Sequence, residues 1–263
     1  MPSFAGKTIL ITGVNGFIGS HLAPALLENG AHIEGTTRNA TNTPYLSALN
    51  IQSRVKLHPL DMRESAAVEK LVRENKYDLI FHLASQSDTW NSIQIPVETF
   101  EANVNGTLYL LESLRRSKNE TPVILAGSVR AFEPLHSSKV DVVAPLHPYD
   151  ASKFCTQVIA LSYFHAYGLR GAIAQNTNIY GPNDTNFNRL IPKIMQSLFQ
   201  DKKVKLRGNG KIKRDFLYVK DAVQGMIQLA GNISKNSVNG KSITFASGHL
   251  SSVRDITQKA QAL

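Results

Sequence analysis

The chain has 263 residues, 42% of them hydrophobic, without any run of roughly 18 apolar residues; that fits one large domain, or one with a small appendage, and leaves no membrane span. Its single cysteine, Cys155, rules out an intrachain disulfide framework, suits a reducing compartment, and reads as a small buried residue on a helix. Lysine and arginine exceed the acids by 29 to 20, and much of the excess sits in Lys202, Lys203, Lys205, Arg207, Lys211, Lys213 and Arg214, a stretch that charge alone marks as solvated surface.

Residues 1–7 run directly into a strand pattern and lack the apolar segment of a signal peptide, so a cytoplasmic location is expected. Thr8–Ile11 reads as a buried strand, Phe17–Asn29 as a helix stopped by Gly30, and His32–Glu34 as a second strand. Strands follow at Val55–Leu57, Asp78–Leu83, Val123–Ala126 and Ala172–Ala174, with helices at Ser65–Asn75, Val97–Arg116 and Tyr149–Tyr167. Strands alternating with long helices predict an α/β fold of Rossmann type, a doubly wound parallel sheet. Beyond Asn176 the pattern changes: a turn at Tyr180–Asp184, a helix at Leu190–Phe199, a strand at Ser242–Phe245 and a last helix after Ser252. Residues 1–176 are therefore expected to form the dinucleotide-binding domain, and residues 177–263 a smaller substrate-binding lobe partly interleaved with it.

Between the first strand and first helix stand Gly13, Asn15, Gly16, Phe17, Ile18 and Gly19. Glycines spaced in this way make a tight turn and let backbone N–H groups meet a pyrophosphate at a helix N-terminus. An acid ending the second strand would bind the ribose hydroxyls of NAD; here the chain reads Gly35-Thr36-Thr37-Arg38. Arg38 can pair with the 2′-phosphate of NADP, so NADP is the expected cofactor and NAD the alternative. Asp61 is placed to meet the adenine or to cap the following helix.

Tyr149 and Lys153 lie four residues apart on one helix face. A tyrosine titrates near pH ~10, too high for efficient proton transfer at neutrality, and a neighbouring ammonium lowers it. Lys153 can also hold the nicotinamide ribose, and Ser128, after the fifth strand, can bond the same substrate oxygen. Hydride would then move between substrate carbon and nicotinamide while Tyr149 shuttles the proton.

Taken together, Thr12–Gly19, Asp61-Met62-Arg63, His82-Leu83-Ala84-Ser85, Asn103–Thr107, Tyr149–Lys153, Asn178–Pro182 and Arg214–Asp221 resemble, in order, the extended short-chain dehydrogenase/reductases, specifically the nucleotide-sugar epimerase/dehydratase family. The resemblance implies a catalytic Ser128, Tyr149 and Lys153, and cofactor contacts that include Met62, Leu83 and Ala84. It also implies a structural Asn103, and substrate contacts from Gln86, Ser87, Asn178 and Arg214, the last two on the diphosphate of a nucleotide sugar. Trp90 either lines that cleft or packs as an indole. Members of the family often dimerise through the helices at residues 97–116 and 149–167, so a homodimer is expected. Neither a metal, nor nucleic acid, nor a membrane is an expected partner.

Departures from the family pattern bear on the reaction. Sugar 4,6-dehydratases carry a glutamate two residues after the catalytic serine or threonine; here that residue is Arg130. The stretch Gly35–Arg38, with His82–Ser87, Asn91-Ser92 and Pro96, is similar to GDP-mannose dehydratases and GDP-4-keto-6-deoxymannose reductases. A 4-ketosugar reductase is the expected activity; alternatives are a nucleotide-sugar 4-epimerase with retained cofactor and a non-catalytic dinucleotide-binding protein. Gln175 replaces a frequent arginine and is expected to alter the wall of the sugar pocket. The chain ends soon after Ile256, which implies either a minimal small lobe or a truncated one.

Overall fold

In chain order the elements are β1 (Thr8–Thr12), α1 (Phe17–Glu28), β2 (His32–Thr37), α2 (Pro44–Ala48), β3 (Val55–Pro59), α3 (Ser65–Glu74), β4 (Leu79–His82), α4 (Thr89–Gln94), α5 (Pro96–Phe100), α6 (Gly106–Arg116) and β5 (Val123–Ser128). There follow β6 (Pro134–Leu135), β7 (Val142–Val143), α7 (Pro148–Ala166), β8 (Gly171–Asn176), β9 (Asn178–Tyr180), α8 (Leu190–Phe199), β10 (Lys213–Tyr218), α9 (Val219–Gly231), β11 (Ser242–Phe245), β12 (Leu250–Ser252) and α10 (Val253–Gln261). The structure is a computed structural model that describes residues 2–132, 134–135, 142–143, 147–206, 208–233 and 237–262. Arg207 of the basic stretch lies outside the described residues.

Seven strands form one parallel sheet in the order β11-β8-β5-β4-β1-β2-β3. This is the doubly wound Rossmann arrangement expected from the sequence. Chain order reverses between β1 and β4, where such sheets open a crevice at the carboxyl ends of the strands. A smaller sheet, β12-β10-β9, stands beside it, and β6 pairs with β7.

The uninterrupted apolar run of β1 follows from burial on both faces. Ile9 and Ile11 pack into one core layer with Leu22 and Leu26 of α1 and Met226 of α9. Leu10, pointing the other way, packs with Val68 and Leu71 of α3 and Leu110 and Leu114 of α6. Each such side chain contributes about 1.5–3 kcal/mol on burial, so β1 is pinned between two layers with its carboxyl end held at the switch point.

Besides short elements such as α2, α4, β9 and β12, three larger features differ from the sequence-based expectation. The single helix expected over residues 97–116 is divided: α5 passes into one π turn at Glu101–Asn105 and then α6. The extra residue of a π turn widens the helix locally and re-aims side chains. Second, α9 and β10 have no counterpart in the sequence reading. Val219, Val223, Met226, Ile227, Leu229 and Ala230 all bury in the core layer of α1, so the helical spacing is present beyond a turn-rich, basic stretch that masks it. Third, Ser242–Phe245, assigned to the smaller lobe, joins the edge of the main sheet beside β8.

Gly35 shows how tightly β2 is fitted under the loop after β1. A Cβ built there would lie 2.3 Å from Val14 Cγ1, and Val14 is fully buried. Gly35→Ala is expected to destabilise the protein by about 1–3 kcal/mol through overpacking, read as a lower denaturation midpoint with an unchanged slope.

Candidate functional site

A cleft of about 960 Å³ runs along the carboxyl ends of the central strands. Its first wall is the turn after β1. Gly13 has φ +69°, and a Cβ there would come within 2.9 Å of Ala84 Cα, so only glycine allows the turn and the close passage of the β4 segment. A Cβ on Gly19 would meet the carbonyl oxygens of Gly13 and Val14 at 2.7 Å, which presses α1 against the turn. Gly16 is the N-cap of α1 and supplies no side-chain cap. Asn15 donates to the Asn42 carbonyl at 3.2 Å, while its Oδ1 is buried without a partner.

At the ends of β2 and β3 the cleft is bounded by Thr36, Thr37, Arg38, Asp61, Met62 and Arg63. Arg38 is exposed. Glu34, the acid of β2, is not among these residues; it bonds Lys56 at 3.0 Å, His58 at 2.6 Å and Tyr77 at 3.2 Å. Asp61 caps no helix, since the N-cap of α3 is Glu64. Its carboxylate instead accepts from the Arg63 guanidinium at 2.8 and 3.1 Å. Those bonds hold its pKa below the ordinary carboxylate value, with Arg38 a smaller contributor. Met62 is buried, with Gly106 at the head of α6 packed against it.

Behind the cleft lies a closed hydrogen-bond chain. The backbone N–H groups of Leu83 and Ala84 both donate to Thr12 Oγ1 at 3.1 Å. Thr107 Oγ1 donates to the Asn103 carbonyl at 2.6 Å, so it accepts from His82 Nε2 at 3.0 Å. His82 Nδ1 must then accept from the Thr12 hydroxyl at 2.8 Å. His82 is thereby a neutral, fully enclosed imidazole, and desolvation, with Lys153 as a lesser cause, pushes its pKa down to about 3. Asn103, in the π turn, accepts from Gln86 N at 2.7 Å and donates to the Gln86 carbonyl at 3.0 Å and to Ser152 Oγ at 2.8 Å. Ser152 Oγ in turn bonds the Tyr149 carbonyl at 2.8 Å.

The same cleft collects Ser128, Tyr149 and Lys153. Ser128 ends β5, where its hydroxyl accepts from Arg130 N at 3.3 Å and stands near enough to the Tyr149 phenol to act on it. Burial raises the phenol's pKa above its usual value, while Arg189, Ser128 and Arg130 pull against that rise. The four-residue spacing predicts such a pull from Lys153, which is not among these groups. In the structure the Lys153 ammonium donates to the Ala126 carbonyl at 3.1 Å, and burial lowers its own pKa to about 8. Arg130 forms a two-point pair with Asp150 at 2.8 and 3.0 Å, and His147 Nδ1 lies 3.0 Å from the same carboxylate.

All the candidate binding and catalytic residues line this one cleft: Gly13, Asn15, Gly16, Phe17, Ile18, Gly19, Arg38, Asp61, Met62, Leu83, Ala84, Gln86, Ser87, Ser128, Tyr149, Lys153, Asn178 and Arg214. Asn103 stands behind it. Residues 9–241 match the family described as NAD dependent epimerase/dehydratase. The chain belongs to that family.

Two relatives and one solved structure place this epimerase/dehydratase family member among proteins of nucleotide-sugar chemistry. It is 29% identical over 234 residues to dTDP-D-glucose 4,6-dehydratase of Dictyostelium discoideum, an alignment covering 82% of this chain and 54% of that protein. The chain thus spans about half the length of that relative. It is 28% identical over 231 residues to UDP-glucuronate 4-epimerase of Thermodesulfobacterium geofontis, covering 83% and 70%. The fold matches the crystal structure of dTDP-glucose 4,6-dehydratase from Streptomyces venezuelae with NAD and TYD bound, with a TM-score of 0.82, 25% identity, and coverage of 97% of this chain and 80% of that one.

In this family member several cleft residues escaped the sequence reading. Arg189 donates to Asp184 at 3.1 and 3.2 Å and to Ser87 Oγ at 3.0 Å, and lies over the Phe17 ring, 5.9 Å from its centre. Asn176 lines the cleft with its amide oxygen buried. Neither sits in a quoted motif; only the fold brings residue 189 beside residue 87. Trp90 lines the cleft and is half exposed. Gln175, in contrast, is absent from the cleft wall: its Oε1 accepts from Thr244 at 3.0 Å across the β8–β11 pair. Arg214 lines the cleft, whereas Lys202, Lys203, Lys205, Lys211 and Lys213 are exposed. Cys155 is half-buried and free.

The buried neutral state of His82 makes the fold acid-sensitive. Its folded pKa of about 3 lies below the unfolded value of ~6.5, so the unfolded chain takes up the extra proton as pH falls and stability is lost in that window. Between pH ~6.5 and ~4.5, unfolding free energy should fall about 1.4 kcal/mol per pH unit more steeply in the wild type than in His82→Gln, measured by denaturant titration at several pH values.

Proposed function

We propose that the chain is an NAD(P)-dependent reductase of a nucleotide-linked 4-ketosugar, acting through Ser128, Tyr149 and Lys153. The observation that carries this reading is the gathering of Ser128, Tyr149 and Lys153 into one cleft that also holds the glycine turn.

The residues present fit a dinucleotide. The first turn of α1 carries no side-chain cap, so its N–H groups remain available to an anion, and neither Gly13 nor Gly19 beside it has room for a Cβ. When bound, a nicotinamide cofactor supplies or accepts a hydride. Arg38, exposed at the end of β2 where no carboxylate lines the cleft, supports NADP, with NAD as the alternative. The residues assigned to the cofactor are the glycine turn from Gly13 to Gly19, Arg38, Asp61, Met62, Leu83, Ala84 and Lys153. The N–H groups of Leu83 and Ala84 are already taken by Thr12, so they serve as wall rather than as donors.

In this mechanism Ser128 donates to the ketone oxygen and orients it. Tyr149 gives that oxygen its proton as the carbonyl carbon is reduced, and recovers one from solvent. A phenol whose pKa is raised stays protonated at neutral pH, which suits a proton donor. Lys153 holds the ribose and places positive charge beside the phenol once drawn away from the Ala126 carbonyl. Gln86, Ser87, Asn178 and Arg214 are the substrate residues; Asn178 is steadied by its bond to the Asp215 carbonyl at 3.0 Å. Elimination of water has little support beside the phenol, because Arg130 occupies that place and ties up Asp150. A nucleotide-sugar 4-epimerase is the second reading, favoured by the similarity to a UDP-glucuronate 4-epimerase. Exposed Val97, Phe100 and Val158 on the helices expected to pair support a homodimer, and the absence of nucleic acid, membrane and metal from the partners stays part of the proposal, as does a cytoplasmic setting.

Tyr149→Phe should lower turnover of nucleotide 4-ketosugars by at least about 10²-fold while dinucleotide affinity changes little; turnover kept near wild type removes the mechanism. Arg38→Ala should raise KM for NADPH about tenfold or more and leave that for NADH nearly unchanged; equal effects on both remove Arg38 as the phosphate partner.

A further inference from the structure

Asn176 ends β8 directly beside Ser128, its register partner at the end of β5. It is 4% exposed, lines the cleft, and its Oδ1 has no hydrogen-bond partner. Its Nδ2 donates to the Ala174 carbonyl at 2.9 Å. That bond fixes which atom is the oxygen, because a carbonyl only accepts. A buried acceptor left unpaired is costly, so a ligand that brings a donor to it gains what the free protein lacks.

The position selects which donor. The Lys153 ammonium bonds the Ala126 carbonyl, and Ala126 is the register partner of Ala174. The Asn176 amide and the Lys153 ammonium, which reaches in from α7, therefore bond carbonyls at the same level of the adjacent strands β8 and β5, and both residues line the cleft. The glycine turn belongs to β1, and Arg38 and Asp61 occupy the ends of β2 and β3 on one side of it. A dinucleotide whose adenine half goes that way must send its other half over β4 and β5 toward β8, three strand spacings or about 14 Å from β1. Residues assigned to the sugar come instead from the opposite wall, in the segments after β4 and along β9 and β10.

Resting on the proposed cofactor site, we infer that the Asn176 side chain accepts a hydrogen bond from the carboxamide –NH₂ of the nicotinamide, and so fixes which face of the ring is turned toward Ser128 and Tyr149. Asn176 is a positioning residue in this role: it touches the cofactor and transfers nothing.

The test compares binding of NADP and of its 3-acetylpyridine analogue, in which a methyl group replaces the –NH₂, by titration calorimetry on the full chain. Wild type should bind the analogue about tenfold more weakly, while Asn176→Leu and the smaller Asn176→Ala, both without the acceptor, should bind the two alike. Equal binding of both by the wild type, or unchanged discrimination in Asn176→Leu, overturns the inference alone. Loss of nucleotide-sugar affinity in Asn176→Leu without a change in discrimination also overturns it, and points to a sugar hydroxyl as the donor. Failure of the wild type to bind either dinucleotide overturns the cofactor reading beneath it. Should Asn176→Leu not fold, Asn176→Ala decides, since unchanged discrimination in the alanine variant overturns the inference.

Discussion

The Thr12 hydroxyl joins the two strands that flank the switch point, and the rest of the site is built outward from it. One proton and two lone pairs are all spent: two backbone N–H groups of the β4 segment come in, and the proton goes to His82. From His82 the chain of bonds passes through Thr107 to Asn103, from Asn103 to Ser152, and from Ser152 to the Tyr149 backbone. A strand buried on both faces supplies the fixed end, and the candidate proton donor stands at the other. Each link is short and enclosed, so the position of the phenol is set by the sheet rather than by surface loops.

The electrostatics of the cleft follow a second constraint, that buried cations be matched. Arg130 is matched by Asp150 and Arg189 by Asp184, both carboxylates nearly removed from solvent. Each guanidinium nonetheless acts on Tyr149, so the phenol is surrounded by positive charge already held in place. Lys153 is matched only by a carbonyl dipole, and its pKa drops accordingly.

Much of this was legible in the chain. The glycine turn could be read because its residue types are forced by φ and by contact, and β1 because burial on both faces demands an unbroken apolar run. The Ser128, Tyr149 and Lys153 set could be read as a spacing, and the parallel sheet brought its members into one cleft. What was not legible depends on long-range geometry. Nothing in the sequence near Arg189 says that it reaches Ser87, 102 positions away. Nor does the motif around Asn103 reveal a π turn, since helical spacing is nearly the same with and without one extra residue. Gln175 was misplaced because strand alternation puts it on the sheet face beside Thr244, whereas its neighbour Asn176 meets the cleft. The source of charge on the phenol was misread for the same reason: a four-residue spacing puts Tyr149 and Lys153 on one helix face, but Lys153 reaches the β5 carbonyl instead.

The central claim is that this cleft carries hydride between a dinucleotide and a sugar ketone side by side. The most direct measurement incubates the protein with NADPH deuterated at the transferring ring carbon, separately at each face, and a panel of nucleotide 4-ketosugars, and follows the label by mass spectrometry. The account predicts deuterium on the reduced sugar carbon from one face only, with one oxidised cofactor for each product. Reduced product without label, or an isomerised sugar with no cofactor consumed, would contradict it.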